Sequence, residues 1–141
     1  MTALHHEPVA VADRSDLAAL FIRWLETHEI PAGLFTADVF CDLSLPQWRL
    51  QGVGPETVHQ LRVGGHPITG SVVRHRIDPT PSGFVLEFEE EWDDRGHWYC
   101  RELMRADVRD GAISALSVYC TGDWDEQRVA DHAAAVTLLR P

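Results

Sequence analysis

The longest patterned stretch of the chain, from Phe84 to Trp124, reads FVLEFEEEWDDRGHWYCRELMRADVRDGAISALSVYCTGDW. Its alternation of apolar and polar residues predicts consecutive long strands over Phe84–Asp93, His97–Arg109 and Ala112–Thr121. The joints are Asp94-Arg95-Gly96 and Asp110-Gly111, and Asp and Gly tolerate the positive φ that tight hairpins require. Strands of this length curve strongly, so we expect a sheet whose concave side other segments must fill.

The segments on either side of this stretch supply the covering elements. Asp13 is placed to cap a helix that ends near Glu29, and its apolar residues recur at helical spacing: Leu17, Leu20, Phe21, Trp24 and Leu25. Further elements are predicted in this order: a strand over Val39–Ser44, a short helix over Glu56–Arg62, a strand over Ile68–Ile77, and a closing helix from about Trp124 to Val136. The predicted fold class is α+β, with a curved antiparallel sheet wrapped around the N-terminal helix as a cone with an internal pocket.

The composition argues against several classes of function. The 141 residues carry a formal net charge of −10 and a pI near 5.1, and such a field repels nucleic acid and anionic membranes. No apolar run reaches the ~20 residues of a membrane span, and the N-terminus lacks signal-peptide features. We expect a cytoplasmic protein with no nucleic-acid or membrane partner, built as one domain over residues 13–141 behind a flexible tail of residues 1–12.

Cysteine and histidine spacing predicts neither a disulfide framework nor a metal site. Cys41, Cys100 and Cys120 are expected to be reduced, buried thiols in predicted strands. The run His5-His6-Glu7 could hold a metal only with a third ligand, which the sequence does not place nearby. A glycine-rich phosphate loop and a Gly-x-Ser-x-Gly elbow are both absent from the sequence. We therefore expect no metal and no cofactor.

Three runs of sequence carry a resemblance to a known family: residues 34–42 (LFTADVFCD), 110–113 (DGAI) and 119–125 (YCTGDWD). Together with the order of elements, they resemble the SnoaL-like branch of the NTF2-like superfamily over about Asp13 to Ala135. The resemblance implies a cone with a largely apolar pocket, a small apolar metabolite as ligand, and a homodimer formed through the outer sheet face. It also implies cofactor-free cyclase, isomerase or epoxide hydrolase chemistry, but this superfamily mixes enzymes with binding domains, and fold alone does not fix function.

The resemblance places Asp42 where isomerase-like members have their proton-shuttling carboxylate. Removing a proton next to a carbonyl requires a base within hydrogen-bond reach, with a pKa raised by an apolar pocket. Asp42 is therefore the first catalytic candidate. The alternative is that Asp42 has no catalytic role and lies on the more solvent-exposed face of a half-buried strand.

The remaining catalytic candidates are Arg105, Glu102 and His75. Counting from Asp110-Gly111, the oxyanion-stabilising acid of the isomerases falls near Arg105, and the last-strand aspartate of the cyclases and epoxide hydrolases falls near Val118. Both acids are thus missing from those positions, and an epoxide hydrolase triad is disfavoured. Arg105 could still stabilise an oxyanion if it points inward.

Strand alternation gives the other two candidates. Glu102 interrupts a mostly apolar face, either as a buried acid or, as we prefer, in an ion pair with Arg74 or Arg76. His75 lies between apolar neighbours and is expected to be an inner-face histidine more than a catalyst. The row Glu87, Glu89 and Glu91 is expected to be solvated or in an oligomer contact, whereas a bulge near Glu89-Glu90-Glu91 would turn one carboxylate inward.

Aromatic residues are the candidates for ligand contact. Trp48 follows Pro46 in a segment expected to border the mouth of the cone. The other substrate-binding candidates are Phe21, Trp24, Phe40, Trp98 and Tyr119.

Two functional classes remain open. The first is a cyclase or isomerase that uses Asp42 as its base, helped by Arg105, His75 or Glu102. The second is a non-catalytic domain that binds a small molecule or a protein partner. An enzyme needs a carboxylate or histidine inside the pocket without a neutralising partner, and this requirement separates the two classes.

Overall fold

The computed structural model describes residues 11–141, with side chains from Arg14 onward. In chain order the elements are α1 (Val11–Thr27), β1 (Phe35–Leu45), β2 (Trp48–Val53), α2 (Pro55–Gly65), β3 (Ser71–Pro79), β4 (Gly83–Asp93), β5 (His97–Arg109), β6 (Ala112–Cys120) and α3 (Glu126–Ala135). The order of elements predicted from the sequence is confirmed.

The N-terminal boundary differs from the prediction. Helix α1 begins at Val11, two residues before the expected cap at Asp13, so residues 11 and 12 belong to the helix and not to the tail. The His5-His6-Glu7 run and the rest of the predicted tail lie outside the described residues. Within residues 11–141, no helix is long and apolar enough to cross a membrane.

The strands form one six-stranded sheet in the order β2-β1-β6-β5-β4-β3. Four of the pairings are antiparallel, but β1 pairs with β6 in parallel, which corrects the expected all-antiparallel sheet. A parallel pair requires a long connection, and the chain between β1 and β6 includes four strands and a helix. The return of β6 to the first long strand therefore places β1 inside the sheet, whose two edges are β2 and β3.

The hairpin turns have the predicted backbone conformation. Between β5 and β6, Asp110 and Gly111 have φ values of 53° and 78°. Between β4 and β5, Arg95 and Gly96 have φ values of 53° and 130°. These left-handed conformations suit Asp and Gly at hairpin turns, and they set the register of the three long strands.

The core lies between α1 and the concave face of the sheet. Phe21 packs edge to face on Trp24 and Phe88, with ring centroids 5.5 and 6.0 Å apart. The inward-facing residues of β4 are fully buried: Phe84, Leu86 and Phe88. Helix α1 thus fills the cone near these residues and leaves a pocket beside Phe21 and Trp24.

The convex face of the sheet is polar in part and apolar in part. The carboxylates of Glu87 and Glu89 lie on it, within 3.9 and 3.4 Å of Arg101 nitrogens, as the strand alternation predicts. Phe40, Leu103 and Tyr119 are exposed. Their alternation with buried neighbours on β1, β5 and β6 puts them on the same outer face.

Replacement of Gly83 by alanine tests the close packing of β4 on β5. A Cβ at this position would lie 1.9 Å from the backbone oxygen of Ala106, so the strands would have to separate. We expect Gly83→Ala to lower the free energy of unfolding, measured in urea, by about 3 kcal/mol. Gly64→Ala is the control, because its Cβ meets nothing within 4 Å and alanine favours the helix. Equal stability of the two variants would contradict the described strand packing.

Candidate active site in the cone pocket

A pocket of about 470 Å³ opens between the helices and the concave face of the sheet. This volume falls within the roughly 300–1,000 Å³ typical of small-molecule sites. Most of its lining is apolar: Phe21, Trp24, Leu25, Leu43, Leu45, Trp48, Leu50, Val58, Leu61, Leu116 and Val118. A small, largely apolar molecule suits such a wall.

The wall is interrupted by a group of polar side chains that we call the polar cluster. It comprises Arg62, His66, Glu90, Cys100, Glu102, Cys120 and Asp123. Five of these line the pocket, while Glu90 and Cys100 pack behind them.

Strand register explains how the sheet assembles its share of the cluster. Glu90 pairs with Cys100 across β4 and β5, and Glu102 pairs with Cys120 across β5 and β6. Residues that face each other in neighbouring strands point to the same side of the sheet, here the concave one. Four polar or sulfur-containing side chains therefore form one patch on the inner face.

Helix α2 supplies the two cationic or basic members of the cluster. Arg62 lies in its last turn, and His66 follows the helix end, donating its backbone N–H to the Arg62 oxygen at 2.9 Å. A spacing of four residues places both side chains over the same side of the helix. Both reach into the pocket.

Arg62 and Glu90 form a buried ion pair. The guanidinium donates from Nη1 to Oε2 at 2.9 Å and from Nη2 to Oε1 at 2.5 Å, and the side chains are only 9% and 6% exposed. Burial alone would raise the pKa of Glu90, but Arg62 outweighs it and holds that pKa below the ordinary value. Glu90 is therefore the ionised carboxylate of the cluster.

Glu102 is the protonated carboxyl group of the cluster. Burial raises the pKa of Glu102 well above its ordinary value, and the neighbouring Glu90 charge raises it further. Its Oε1 lies 3.5 Å from Cys100 Sγ and 3.8 Å from His66 Nε2. An acid that keeps its proton inside an apolar pocket can donate it to a ligand.

His66 lies between two carboxyl groups. Its Nε2 is 3.8 Å from Glu102 Oε1 and 3.9 Å from Asp123 Oδ1. The imidazole packs edge-on against Trp92 at 4.8 Å, and Trp92 stacks on Trp98 at 6.4 Å. Burial raises the pKa of Asp123. The arrangement places an imidazole where it can exchange protons with either neighbour.

The same cluster offers donor atoms to a metal ion. One donor each from His66, Glu90, Cys100 and Glu102 lie within 4.8 Å of one another, and Cys100, Cys120 and Asp123 form a second such group. Both oxygens of Glu90, however, already bind Arg62. The donor set fits a metal poorly, because the guanidinium supplies the positive charge that a metal would otherwise bring.

Known structures resemble this cone closely, although no family model and no curated protein matches the sequence. An NTF2-like protein from Anabaena variabilis superposes with a TM-score of 0.68 at 19% identity, over 87% of this chain and 96% of its own. A proposed polyketide cyclase from Pseudomonas putida gives a TM-score of 0.60 at 13% identity, over 84% and 96%. A phenazine biosynthesis-related protein from Pseudomonas aeruginosa gives 0.56 at 13%, over 99% and 94%.

This chain has the NTF2-like fold. The cone predicted from the sequence is confirmed, and identities this low establish the fold alone.

Asp42 lies outside the pocket of this NTF2-like cone. Its carboxylate accepts hydrogen bonds from Arg49 Nε at 2.9 Å and Nη2 at 2.5 Å, and this pairing lowers the pKa of Asp42. Side chains alternate along β1, and the pocket takes Cys41 and Leu43 from it. The catalytic role predicted for Asp42 depended on a place inside the pocket, so the geometry does not support that role.

Arg105 and His75 are also outside the pocket. Arg105 is exposed, between the buried inward-facing residues Met104 and Ala106, and so points outward. His75 is exposed on the edge strand β3. The preferred ion pair of Glu102 with Arg74 or Arg76 is wrong, because those arginines are exposed and their ion-pair partners are Glu89 and Asp78. Of the four predicted catalytic residues, the pocket contains Glu102.

The predicted ligand-contact residues do not all lie on the same side of the sheet. Phe21, Trp24 and Trp48 line the pocket, and Trp48 is 66% exposed there. Phe40 and Tyr119 are exposed on the outer face, and Trp98 supports the cluster indirectly by stacking on Trp92. Trp24 also donates from Nε1 to His59 Nδ1 at 3.0 Å, which holds the indole against α2.

Sequence reasoning missed most of the polar cluster. Arg62 lies in the last turn of a short helix without a marked pattern, His66 follows that helix, and Asp123 follows the end of β6. One signal was available: Glu90 and Glu102 each interrupt the apolar face of neighbouring strands. Two acids on the apolar faces of neighbouring strands come close together inside the protein. This predicts either that one of them stays protonated or that a buried cation lies between them.

Removal of Arg62 tests the buried ion pair. We expect Arg62→Met to lower the free energy of unfolding by about 3–5 kcal/mol, because it leaves Glu90 charged, buried and unpaired. Adding Glu90→Gln to that variant should recover most of the loss. The control is Arg49→Met, which breaks the exposed, solvent-screened pair with Asp42 and should cost far less. Similar losses in Arg62→Met and Arg49→Met would contradict the burial of the Arg62–Glu90 pair.

The protonation of Glu102 predicts a pH dependence of stability. Burial raises the pKa of Glu102 in the folded protein well above its ordinary value of 4.5, so the folded state keeps this proton to a higher pH than the unfolded chain does. The resulting stability is present below the ordinary pKa and is lost as the pH rises towards the folded-state pKa. Glu102→Gln should therefore gain stability relative to the unmodified protein between about pH 5 and pH 8, by roughly 1 kcal/mol or more.

Urea unfolding of both proteins at the two pH values measures this gain. The control is Glu87→Gln on the convex face, where the side chain is 56% exposed. The same pH dependence in both variants would show that Glu102 does not retain its proton.

Proposed function

We propose that the protein is a cofactor-independent isomerase or cyclase that acts on a small, largely apolar metabolite by general acid–base catalysis in the cone pocket. The single observation that carries this proposal is the state of Glu102. Among the described residues Glu102 lies beside Cys100, His66 and Glu90, and the nearby guanidinium of Arg62 is bound to Glu90 instead. Glu102 is therefore an acid in the pocket without an arginine ion pair of its own.

The roles follow from the geometry of the cluster. Glu102 donates its proton to the carbonyl oxygen of the ligand, which stabilises the negative charge that develops there. His66 accepts the proton from the adjacent carbon, and Asp123 stabilises the imidazolium that results. The separations of 3.8 and 3.9 Å at Nε2 are longer than hydrogen bonds and can tighten when a ligand binds.

Two outcomes follow from the same enolate. Return of the proton at another carbon moves a double bond, which is an isomerisation. Attack of the enolate carbon on a second carbonyl group of the same molecule closes a ring, which is a cyclisation. The apolar lining excludes water and favours a neutral ring system over a charged metabolite. The names of two structural neighbours, a proposed polyketide cyclase and a phenazine biosynthesis-related protein, support this class of ligand.

The proposal extends to assembly and location. We infer a homodimer formed through the outer face, where Phe40, Leu103 and Tyr119 expose apolar surface. A cytoplasmic location suits the three free cysteines.

A non-catalytic binding domain is the second candidate. The mostly apolar wall of the pocket favours it, because an apolar ligand could bind there without any reaction. The two candidates differ in whether a bound ketone exchanges protons with the cluster.

Deuterium exchange at the carbon next to a carbonyl tests the proposal. We expect the protein in D₂O to accelerate loss of the α-proton NMR signals of 2-tetralone, a small apolar ring ketone. Glu102→Gln and His66→Ala should each slow this exchange by about 10²-fold or more. Asp42→Asn is the matched control, because Asp42 lies outside the pocket, and it should leave the exchange rate unchanged.

The outcomes separate the candidates. Binding of 2-tetralone without exchange would favour the non-catalytic domain. Loss of exchange in Asp42→Asn, with normal exchange in Glu102→Gln, would overturn the assignment of the acid.

A further inference from the structure

Cys120 is the pocket-lining member of a pair of neighbouring thiols. It ends β6, is partly exposed, and faces the pocket beside His66, Glu102 and Asp123. The backbone N–H of Gly122 donates to its Sγ at 3.4 Å. Its Sγ also lies within 4.8 Å of Cys100 Sγ and of an Asp123 carboxylate oxygen. Acid–base catalysis by Glu102 and His66 makes no use of this sulfur.

The surroundings of Cys120 favour its thiolate. Hydrogen bonds from Cys100, from His66 and from the Gly122 backbone lower the pKa of Cys120, although burial opposes them. The pKa of Cys100 is raised, because that thiol supplies the hydrogen bond to its neighbour and is itself buried. Of the two thiols, Cys120 therefore ionises more readily, and Cys100 keeps its proton more firmly.

The other titratable groups around Cys120 add little negative charge of their own, so they do not strongly oppose its ionisation. Those that line the pocket with Cys120 are Arg62, His66, Glu102 and Asp123, and Glu90 is paired with Arg62 behind them. Arg62 neutralises Glu90, and Glu102 is protonated. Asp123 is the remaining carboxyl group, and burial raises its pKa as well.

A second and independent feature points to a ligand oxygen in the same pocket. Arg62 uses both terminal nitrogens on Glu90, but its Nε–H is buried and has no hydrogen-bond partner. The side chain is only 9% exposed, and it lines the pocket. A buried donor of this kind needs a hydrogen-bond acceptor, and a ligand carbonyl could provide one.

We propose that Cys120 is a nucleophile that adds to α,β-unsaturated carbonyl compounds bound in the pocket, with the carbonyl oxygen held by Arg62 Nε–H. A thiolate is a strong nucleophile towards the electron-poor β carbon of such compounds. The proposal rests on the proposed function only in that both require a carbonyl ligand in this pocket. It adds a covalent step and narrows the ligand to a conjugated ketone or a similar compound.

The addition is balanced without any oxidant or reductant. The Cys120 sulfur forms a bond to the β carbon, and the electron pair of the carbon–carbon double bond moves towards the carbonyl oxygen. Arg62 stabilises the resulting enolate charge. The α carbon then takes a proton from the Glu102 carboxyl group or from a protonated His66. The product is a thioether, and the reverse sequence of steps releases the unsaturated ligand.

Covalent labelling with 2-cyclohexen-1-one tests this inference on the full chain. Intact-mass and peptide mass spectrometry follow the adduct at each cysteine, and saturated cyclohexanone serves as the unreactive control ligand. We expect Cys120 to react more than about tenfold faster than Cys41 or Cys100 near pH 6.5, where an ordinary thiol is mostly protonated. Cys41 is an internal control, because it lines the same pocket but burial raises its pKa to about 11.

Variants separate the nucleophile from its partner. Cys120→Ser should lose the adduct, while Cys41→Ser should keep it. Arg62→Lys retains the positive charge but lacks the Nε–H donor. It should slow labelling by cyclohexenone more than labelling by methyl methanethiosulfonate, a thiol reagent without a carbonyl group, so the ratio of the two rates isolates the carbonyl contact.

Three results would overturn the inference: faster labelling of Cys41 or Cys100, a Cys120 rate that rises with pH as for an ordinary thiol, or labelling that begins only after EDTA removes a bound metal. Exchange of 2-tetralone protons without a cyclohexenone adduct would defeat this inference and leave the proposed function standing. An adduct without exchange would defeat the proposed function and leave this inference standing.

Discussion

The buried ion pair between Arg62 and Glu90 connects three parts of the structure that the chain brings together from far apart. Arg62 belongs to α2, Glu90 belongs to β4, and Arg62 Nη2 also approaches the Leu25 backbone oxygen of α1 at 3.4 Å. Neither partner could be buried alone, because an isolated charge in an apolar interior is very costly. The pair therefore holds both helices against the sheet in one arrangement, and the pocket lies between them.

The same pair determines the charge state of its neighbours. Two carboxyl groups so close together do not both ionise readily, and Arg62 gives the charge to Glu90. Glu102 then keeps its proton, so the pocket contains a neutral acid beside an imidazole instead of a pair of carboxylates. The position of the Arg62 guanidinium therefore decides which of the two carboxyl groups is ionised. This outcome could not be deduced from the formal net charge of −10, most of which resides on exposed surfaces.

The convex face shows what the same residue types do in contact with water. Asp42 with Arg49, and Glu89 with Arg101, form ion pairs that are partly exposed. Such pairs contribute little to stability, because solvent screens them. Arg49 lowers the pKa of Asp42, so this carboxylate lacks the raised pKa that a general acid requires at neutral pH. The proposed acid–base chemistry is thus confined to the concave face by burial and not by residue type.

The sequence by itself determined the elements and the cone. Alternation over Phe84–Trp124, helical spacing from Leu17 to Leu25, and turn residues such as Asp110-Gly111 are local signals, so they could be read correctly one segment at a time. It also marked Glu102 and Trp48 as candidates, since one interrupts an apolar stripe and the other follows a proline near the mouth. Tertiary structure alone decided which face of β1 points inward, and therefore that Asp42 is outside the pocket. It also decided that Arg62 and His66 of α2 meet Glu90, Glu102 and Cys120. Those contacts join residues that are distant in the sequence, and their protonation depends on burial and on partners, neither of which a linear pattern records.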